Sequence, residues 1–144
     1  GLSWATILKK REGYRKAFAD FDYLQVAQFP ESYVQELLQD KGIVRNALKI
    51  RAAVNNAQRF QEVQAEFGTF TNYIWGFVGG KPIQNKISPG APYPATSLES
   101  DLLAKDMKRR GFKFLGSTVL YAHLQATGLI NDHLDTCFRK QELA

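Results

Sequence analysis

The sequence has a single cysteine, no long apolar run and no recognisable export signal. Cys137 has no partner for an intramolecular disulfide, which fits a reducing compartment or a metal-binding role. No stretch approaches the roughly 20 apolar residues that a membrane helix requires. The first residues do not combine a basic segment, an apolar core and a small-residue cleavage site. These absences predict a cytoplasmic protein without a membrane anchor.

The composition is that of an ordinary globular protein with an excess of positive charge. Hydrophobic residues make up 44% and charged residues 23% of the 144 residues, which excludes a disordered chain. A net charge of +5 favours polyanionic partners such as nucleic acids, because neutralised phosphates release their counterions. The chain starts at Gly1, inside an apolar helical pattern, so we expect that Gly1 is not the native N-terminus.

Apolar residues recur at steps of three and four along most of the chain, which predicts helices. The first predicted helix extends from Trp4 to Phe18 with Ser3 as its N-cap, and the longest pattern runs from Ile43 to Phe67 and ends at Gly68. Further helical patterns follow Asp22 and Pro30, begin at Phe70, follow a capping box of Thr96 and Glu99, and begin after Gly116. The last of these helices would turn Val119, Ala122 and Ala126 inward and end at Gly128.

Four of the five prolines fall within residues 81–96, which predicts a surface loop and not a boundary between domains. No segment shows a convincing strand pattern. The sequence therefore predicts an all-α fold, with residues 1–144 forming one compact helical domain.

Residues 97–128 show two helical patterns joined by a short segment that glycines bound on both sides, Gly111 and Gly116. The first turn of a helix leaves backbone N–H groups unpaired and carries partial positive charge, so it can receive a phosphate. This pattern is typical of a helix-hairpin-helix element that grips the DNA backbone without reading sequence. The flanking cations are Lys105, Lys108, Arg109, Arg110 and Lys113. The alternative is an ordinary pair of helices with a solvated basic face.

His133 and Cys137 are four residues apart, a spacing that can place an imidazole and a thiolate on one side of a helix or turn. Both groups suit tetrahedral zinc, which requires four ligands in a structural site. The alternative is an incidental pair that follows a helix-capping region at Asn131 and Asp132.

Trp4 stands at the start of the first predicted helix. A tryptophan in this position can be a core residue. It can also be an aromatic platform for a base extruded from DNA, which cation–π attraction would favour if the base is charged.

Several runs taken together resemble the bacterial type I 3-methyladenine DNA glycosylases. They are residues 1–12, residues 42–45 with Lys49 and Ile50, residues 110–116, and residues 128–133 with Cys137. These runs follow the family's order over essentially the whole chain, which is far more specific than any one of them. The resemblance implies a helix-hairpin-helix glycosylase fold.

The resemblance also implies roles for individual residues. Trp4 would stack on the flipped base, and Gly1 and Leu2 would lie at the wedge that fills the vacated space in the duplex. His133 and Cys137 would be half of a structural site for one zinc ion. The residues that would hold the DNA backbone are Gly111, Phe112, Lys113 and Gly116.

The family pattern includes further residues upstream of Gly1. They are the Cys and His that complete the zinc site, a tyrosine of the base pocket and a pocket glutamate. The sequence therefore leaves the catalytic residue unassigned. Asp132 is interpreted as a helix cap, since this family does not rely on an aspartate at that point.

The function implied by the resemblance is base-excision repair of alkylated double-stranded DNA by a monomeric, monofunctional enzyme. 3-Methyladenine already carries positive charge in the nucleotide, so the base leaves as a neutral molecule and needs little acid catalysis. The products would be free 3-methyladenine and an abasic site. Two alternatives stay open: a helix-hairpin-helix DNA-binding module without catalysis, and a helical protein-interaction domain whose basic face is incidental.

Overall fold

The structure is a computed structural model that describes residues 2–143, and it is largely helical. This confirms the predicted all-α class. The elements, in chain order, are α1 (Trp4–Leu8), α2 (Arg11–Ala17), a 3₁₀ turn (Ala19–Phe21), α3 (Tyr23–Val26), α4 (Glu31–Leu37), α5 (Ala47–Phe67), α6 (Phe70–Gly76), β1 (Ile83–Gln84), α7 (Leu98–Arg109), α8 (Ser117–Ala126), β2 (Ile130–Asn131) and α9 (Phe138–Glu142).

The expectation that no strands form was wrong at one place. β1 and β2 form a two-residue parallel pair in which Ile83 faces Ile130 and Gln84 faces Asn131. A pairing of two residues on each side is too short to produce an alternating sequence pattern, so periodicity could not indicate it. The rest of residues 81–96 lacks helix and strand, in agreement with the predicted loop.

The first predicted helix is divided in two. Ser3 caps α1 as expected, since its hydroxyl accepts a hydrogen bond from the Thr6 N–H at 3.1 Å. The helix then stops at Leu8, and α2 begins at Arg11. Between them, the Lys10 ammonium group donates to the Lys41 carbonyl at 2.7 Å. A contact between residues so far apart in the chain is invisible to helical periodicity.

Two details of α7 and α8 also differ from expectation. Ser97, and not Thr96, is the N-cap of α7, and Ser100 completes the capping box. In α8 the buried residues are Leu120, Tyr121 and Leu124, whereas the three residues expected to face inward are exposed (Val119, Ala122 and Ala126). Both sets have helical spacing, and the set with the larger side chains is the one that removes more apolar area from water.

The described residues group into two compact units. The first comprises residues up to Glu62 together with residues 112–114, and the second comprises the remainder. The prediction of one domain over residues 1–144 stays a prediction. The core of the first unit consists of Ala17, Phe18, Val26, Ala27, Val34, Leu37, Ile43, Ile50 and Ala57.

The second unit has its own apolar core, built on α6, α7 and α8. Leu103 and Leu124 are fully buried, and Tyr121 is 1% exposed. The β1–β2 pair lies in this unit, and α9 is fixed beside it because the Lys140 ammonium donates to the Asn131 carbonyl at 3.4 Å. Within residues 2–143, no helix combines the length and apolar character needed to span a membrane.

Candidate nucleic-acid interface

The segment between α7 and α8, residues 110–116, presents unpaired backbone N–H groups to solvent. Gly111 and Phe114 both have left-handed backbone conformations, with φ of +93° and +59°. In the described part of the chain, the N–H groups of Phe114, Leu115 and Gly116 have no hydrogen-bond acceptor in the protein. The first-turn N–H groups of α8 follow directly. The N–H groups of Leu115, Gly116 and the first turn of α8, all in the second unit, are donors that suit an anion.

Gly116, the N-cap of α8, leaves these N–H groups open. A Cβ built on Gly116 would meet no atom within 4 Å, and its φ of −85° is accessible to any residue. The protein itself therefore does not require glycine at this position. A requirement for glycine would come from a partner that approaches the backbone closely.

The start of α8 is fastened to α7 by two serines. The Ser100 and Ser117 hydroxyls lie 2.7 Å apart, and Ser100 is fully buried. The Ser117 hydroxyl also donates to an Asp101 carboxylate oxygen at 2.5 Å. These bonds fix the direction in which the first turn of α8 presents its N–H groups.

The four residues predicted to hold a DNA backbone all belong to this segment, but they are not equivalent. Phe112 is only 6% exposed, so its side chain is a core anchor and only its backbone can face a ligand. Lys113 is exposed. Gly111 and Gly116 supply the turn and the open first turn of α8.

The cations that flank the segment divide into two groups. Arg109 and Arg110 both bind the Asp106 carboxylate, at 2.5 Å and 2.7 Å. By contrast, the exposed ammonium groups of Lys105, Lys108 and Lys113 have no acidic partner within residues 2–143. Near this segment, the positive charge that is not neutralised thus comes from lysines. The sequence alone did not distinguish these lysines from the two arginines.

Arg110 is held in a network that is structural. Its guanidinium also binds Glu66 at 2.6 Å and lies 5.0 Å from the centre of the Phe67 ring. The hydrogen bonds that Arg110 donates to Glu66, and then those to Asp106, raise the pKa of Arg110. Burial, followed by the hydrogen bond to Asp106, raises the pKa of Tyr73, whose hydroxyl donates to that carboxylate at 2.9 Å. Tyr73, Asp106 and Arg110 line a hollow of about 540 Å³, and their polar groups are paired with one another.

Trp4 lies on the surface of the first unit and is 82% exposed. It is the first residue of α1, a helix without buried residues. The interpretation of Trp4 as a core residue is therefore wrong. Leu2 is 60% exposed, and Gly1, the other residue predicted for the wedge, lies outside the described residues.

A hollow of about 370 Å³ opens in the same unit. Leu2 and Ile7 contribute to its wall, together with three aromatic residues that sequence reasoning did not single out (Tyr14, Phe18 and Phe21). Its volume falls in the range of small-molecule sites. The only sequence signal was helical periodicity, which does not separate a hollow from a packed core.

His133 and Cys137 are brought together as predicted. The His133 Nδ1 and the Cys137 Sγ lie 3.8 Å apart. In tetrahedral coordination, zinc bonds of about 2.0 and 2.3 Å would place a nitrogen and a sulfur about 3.5 Å apart. No cluster of three or more potential metal ligands occurs within residues 2–143. The zinc site therefore stays a prediction.

Asp132 does not cap a helix, contrary to the sequence interpretation, because the N-cap of α9 is Cys137. Its carboxylate is buried and accepts hydrogen bonds from Tyr121 at 2.5 Å, Gln125 at 2.6 Å and Asn85 at 2.7 Å. Burial, followed by the bond to Asp132, raises the pKa of the Tyr121 hydroxyl, which therefore remains a donor. Three donors hold this carboxylate in a structural role.

Comparison with known proteins adds a family relationship. Residues 1–140 match the model of the methyladenine glycosylase family. The DNA-3-methyladenine glycosylase 1 of Escherichia coli (strain K12) is 42% identical over 137 residues, which are 95% of this chain and 73% of that protein. The DNA-3-methyladenine glycosylase of Haemophilus influenzae (strain ATCC 51907 / DSM 11121 / KW20 / Rd) is 39% identical, covering 95% of this chain and 74% of that protein.

A solved structure shares the fold. The 3-methyladenine DNA glycosylase I from Staphylococcus aureus, whose structure concerns the basis of 3-methyladenine recognition, superposes with a TM-score of 0.89. The sequences are 37% identical, and the match covers 97% of this chain and 74% of that one.

Proposed function

Because the chain belongs to the methyladenine glycosylase family, we propose that it catalyses the reaction for which its relatives are named, excision of 3-methyladenine from DNA. The enzyme hydrolyses the N-glycosidic bond of the methylated base in base-excision repair. The observation that carries this function is the family match over residues 1–140.

The chemistry of the substrate sets what the protein has to supply. The glycosidic nitrogen belongs to a base that already carries positive charge, so bond cleavage releases neutral 3-methyladenine without prior protonation. The protein must extrude the base and favour the separating sugar cation and base over the intact bond. Water then adds to the sugar, and an abasic site remains. No lysine nucleophile is required, which fits a monofunctional enzyme.

Double-stranded DNA is the proposed partner of the segment between α7 and α8. In the second unit, the unpaired N–H groups of Leu115 and Gly116 would hold a phosphate. In the first unit, the Phe114 N–H and the exposed Lys113 ammonium would do the same. Such contacts position a protein on the duplex but do not select sequence. Sequence independence is what a repair enzyme needs, since damage occurs in any context. The α7–α8 pair would in this way act as a helix-hairpin-helix element.

Trp4 and Leu2 are proposed to act on the flipped nucleotide. The exposed indole of Trp4 is free to stack on an extruded cationic base, because no core contact occupies it. The exposed side chain of Leu2, next to Gly1 in the chain, would fill the space that the base leaves in the duplex.

One structural zinc ion is proposed at His133 and Cys137. The two donor atoms, 3.8 Å apart, fit adjacent corners of a tetrahedral site. When bound, the metal would tie the segment before α9 to its other ligands and would take no part in the chemistry. We further propose that the enzyme is monomeric and cytoplasmic.

The test is release of the free base. Full-length protein is incubated with duplex DNA that carries labelled 3-methyladenine, and the released base and the alkali-labile abasic sites are counted. We expect equal amounts of both products. Binding of the duplex without release would instead support the second candidate, a non-catalytic DNA-binding module. If the protein neither binds the duplex nor releases the base, the result would favour a protein-interaction domain.

A further inference from the structure

The side-chain amide of Asn56, on α5, pairs with the backbone of Lys113 in both directions. The Lys113 N–H donates to the Asn56 Oδ1 at 2.8 Å, and the Asn56 Nδ2 donates to the Lys113 carbonyl at 2.9 Å. The amide thus pairs with both backbone groups of Lys113, as a neighbouring strand does in a sheet. Both residues belong to the first unit, so this contact lies within one compact body.

This pairing fixes the backbone at the point where the segment turns outward. On one side of Lys113, Phe112 is buried. On the other side, Phe114 has a φ of +59° and is 56% exposed. A phenylalanine rarely adopts a left-handed conformation unless its surroundings impose it. Asn56 supplies that constraint, because it holds both peptide groups of the preceding residue.

We propose that Asn56 is a positioning residue for DNA binding. By holding Lys113, it sets the direction of the adjacent Phe114 N–H, in the same unit, before DNA arrives, so that binding does not have to order this group. This inference rests on the proposed function of the segment as a DNA grip. Asn56 itself does not touch DNA.

The central experiment measures where the loss appears when the pairing is removed. Asn56→Ala in the full-length enzyme should raise the dissociation constant for undamaged duplex DNA by about five- to thirtyfold, because DNA binding must then order a backbone that two hydrogen bonds hold in the wild type. The affinity for free 3-methyladenine and the kcat at saturating DNA should stay unchanged. A merely structural role would lower thermal stability without this separation.

Gln58→Ala provides the matched control. Gln58 is also on α5, and its amide donates to the Ala27 carbonyl at 3.0 Å. The control therefore loses a comparable side-chain-to-backbone bond in the same unit, away from the Lys113 backbone. It should leave the dissociation constant for DNA unchanged. A loss equal to that of Asn56→Ala would overturn the inference.

A double-mutant cycle with Gly116→Val separates the inference from its premise. If Asn56 acts through the segment, Asn56→Ala should weaken DNA binding much less in the Gly116→Val background than in the wild type. Strict additivity would overturn the positioning role. If Gly116→Val weakens binding but Asn56→Ala does not, only the inference fails. If Gly116→Val has no effect, the proposed DNA grip fails as well.

Amide hydrogen exchange reports the geometry directly. The Lys113 N–H should exchange slowly in the wild type and markedly faster in Asn56→Ala, while the buried amides of α5 keep their protection. Unchanged exchange at Lys113 would mean that Asn56 does not hold this peptide group, and the inference would be withdrawn.

Discussion

Trp4 shows how a single residue can follow a core pattern and yet lie on the surface. In the sequence it starts an amphipathic repeat with Ile7 and Leu8. In the structure 82% of Trp4 is exposed, and α1 buries no residue. A large aromatic side chain left in solvent costs free energy unless a ligand or partner covers it, which agrees with the proposed stacking role.

Replacement of Trp4 by alanine should therefore affect ligand binding and not folding. Base stacking on an aromatic ring is worth roughly 1 to 3 kcal/mol, so Trp4→Ala should weaken binding of free 3-methyladenine by about ten- to a hundredfold. The free energy of unfolding should change by less than about 0.5 kcal/mol, as for other surface substitutions. Calorimetric titration and chemical denaturation of the same variant measure the two quantities. Unchanged ligand binding would contradict the stacking role.

At the scale of elements, the segment between α7 and α8 joins two glycines whose requirements differ. Gly111 has a φ of +93°, so any other residue would be strained there. Gly116 has an ordinary conformation and open space where a Cβ would lie. From the sequence the two glycines looked equivalent. In the structure only Gly111 requires glycine for its backbone conformation.

The two valine variants should accordingly separate folding from binding. Gly111→Val should destabilise the protein by about 1 kcal/mol or more, because valine is forced into a left-handed conformation. Gly116→Val should keep the wild-type stability and weaken binding to all duplex sequences alike. Thermal unfolding and fluorescence anisotropy with several duplexes check this. A loss confined to damaged DNA would argue against a backbone grip.

The segment before α9 gives a second prediction at this scale. His133 and Cys137 should bind about one zinc ion per chain in the full-length protein, together with the upstream ligands that the family resemblance implies. His133→Ala should abolish stoichiometric zinc, as measured by mass spectrometry of carefully dialysed protein. His123→Ala, which changes the other histidine of the sequence, on α8, should leave the zinc content intact. Zinc-free wild-type protein would refute the site.

At the scale of the whole molecule, the cations behind the net charge of +5 differ in whether acidic side chains neutralise them. Arg109 and Arg110 are neutralised by acidic partners and contribute to stability. The exposed side chains of Lys105, Lys108 and Lys113, on and beside α7, have no acidic partner within residues 2–143. The net charge alone could not reveal this division.

The free energy of unfolding should depend far more on Arg110 than on Arg109. Arg110→Met keeps much of the packing on Phe67 but removes a pair whose side chains are 16% and 22% exposed (Arg110 and Asp106), which should cost about 1 to 2 kcal/mol. Arg109→Met removes a partner that is 68% exposed and should cost about 0.5 kcal/mol or less. Urea denaturation of both variants checks the contrast. Equal losses of unfolding free energy in the two variants would show that the burial of Arg110 does not strengthen its ion pair.

The ion pairs of Asp106 also predict how the stability of the protein changes at acidic pH. Burial raises the pKa of Asp106, but hydrogen bonds from Arg109, Arg110 and Tyr73 outweigh it and hold the pKa below its ordinary value. The stabilisation is therefore complete above the unfolded pKa of about 3.9 and is lost as the pH falls through the lower, folded pKa. Arg110→Met should make this acid loss shallower, which urea titrations between about pH 2 and 5 would detect.

The sequence by itself determined the features that depend on neighbouring residues. Helical periodicity indicated most helices, and Ser3 acts as an N-cap as expected. Asp22 caps the helix whose pattern follows it, and Gly68 and Gly111 adopt the left-handed conformation of helix ends. The four-residue spacing brought His133 and Cys137 together. Hydrogen bonds and backbone preferences within a few positions decide these features, so they can be read locally.

Only the tertiary structure decided which side chains are buried, paired or free. Periodicity could not choose between two apolar faces of α8, nor show that Trp4 is exposed, because burial depends on what packs against a helix. It could not show that Asp132 is held by three donors or that Asn56 holds Lys113, a residue 57 positions away. Such contacts join residues that only the folded chain brings together. They decide which groups remain available to a ligand.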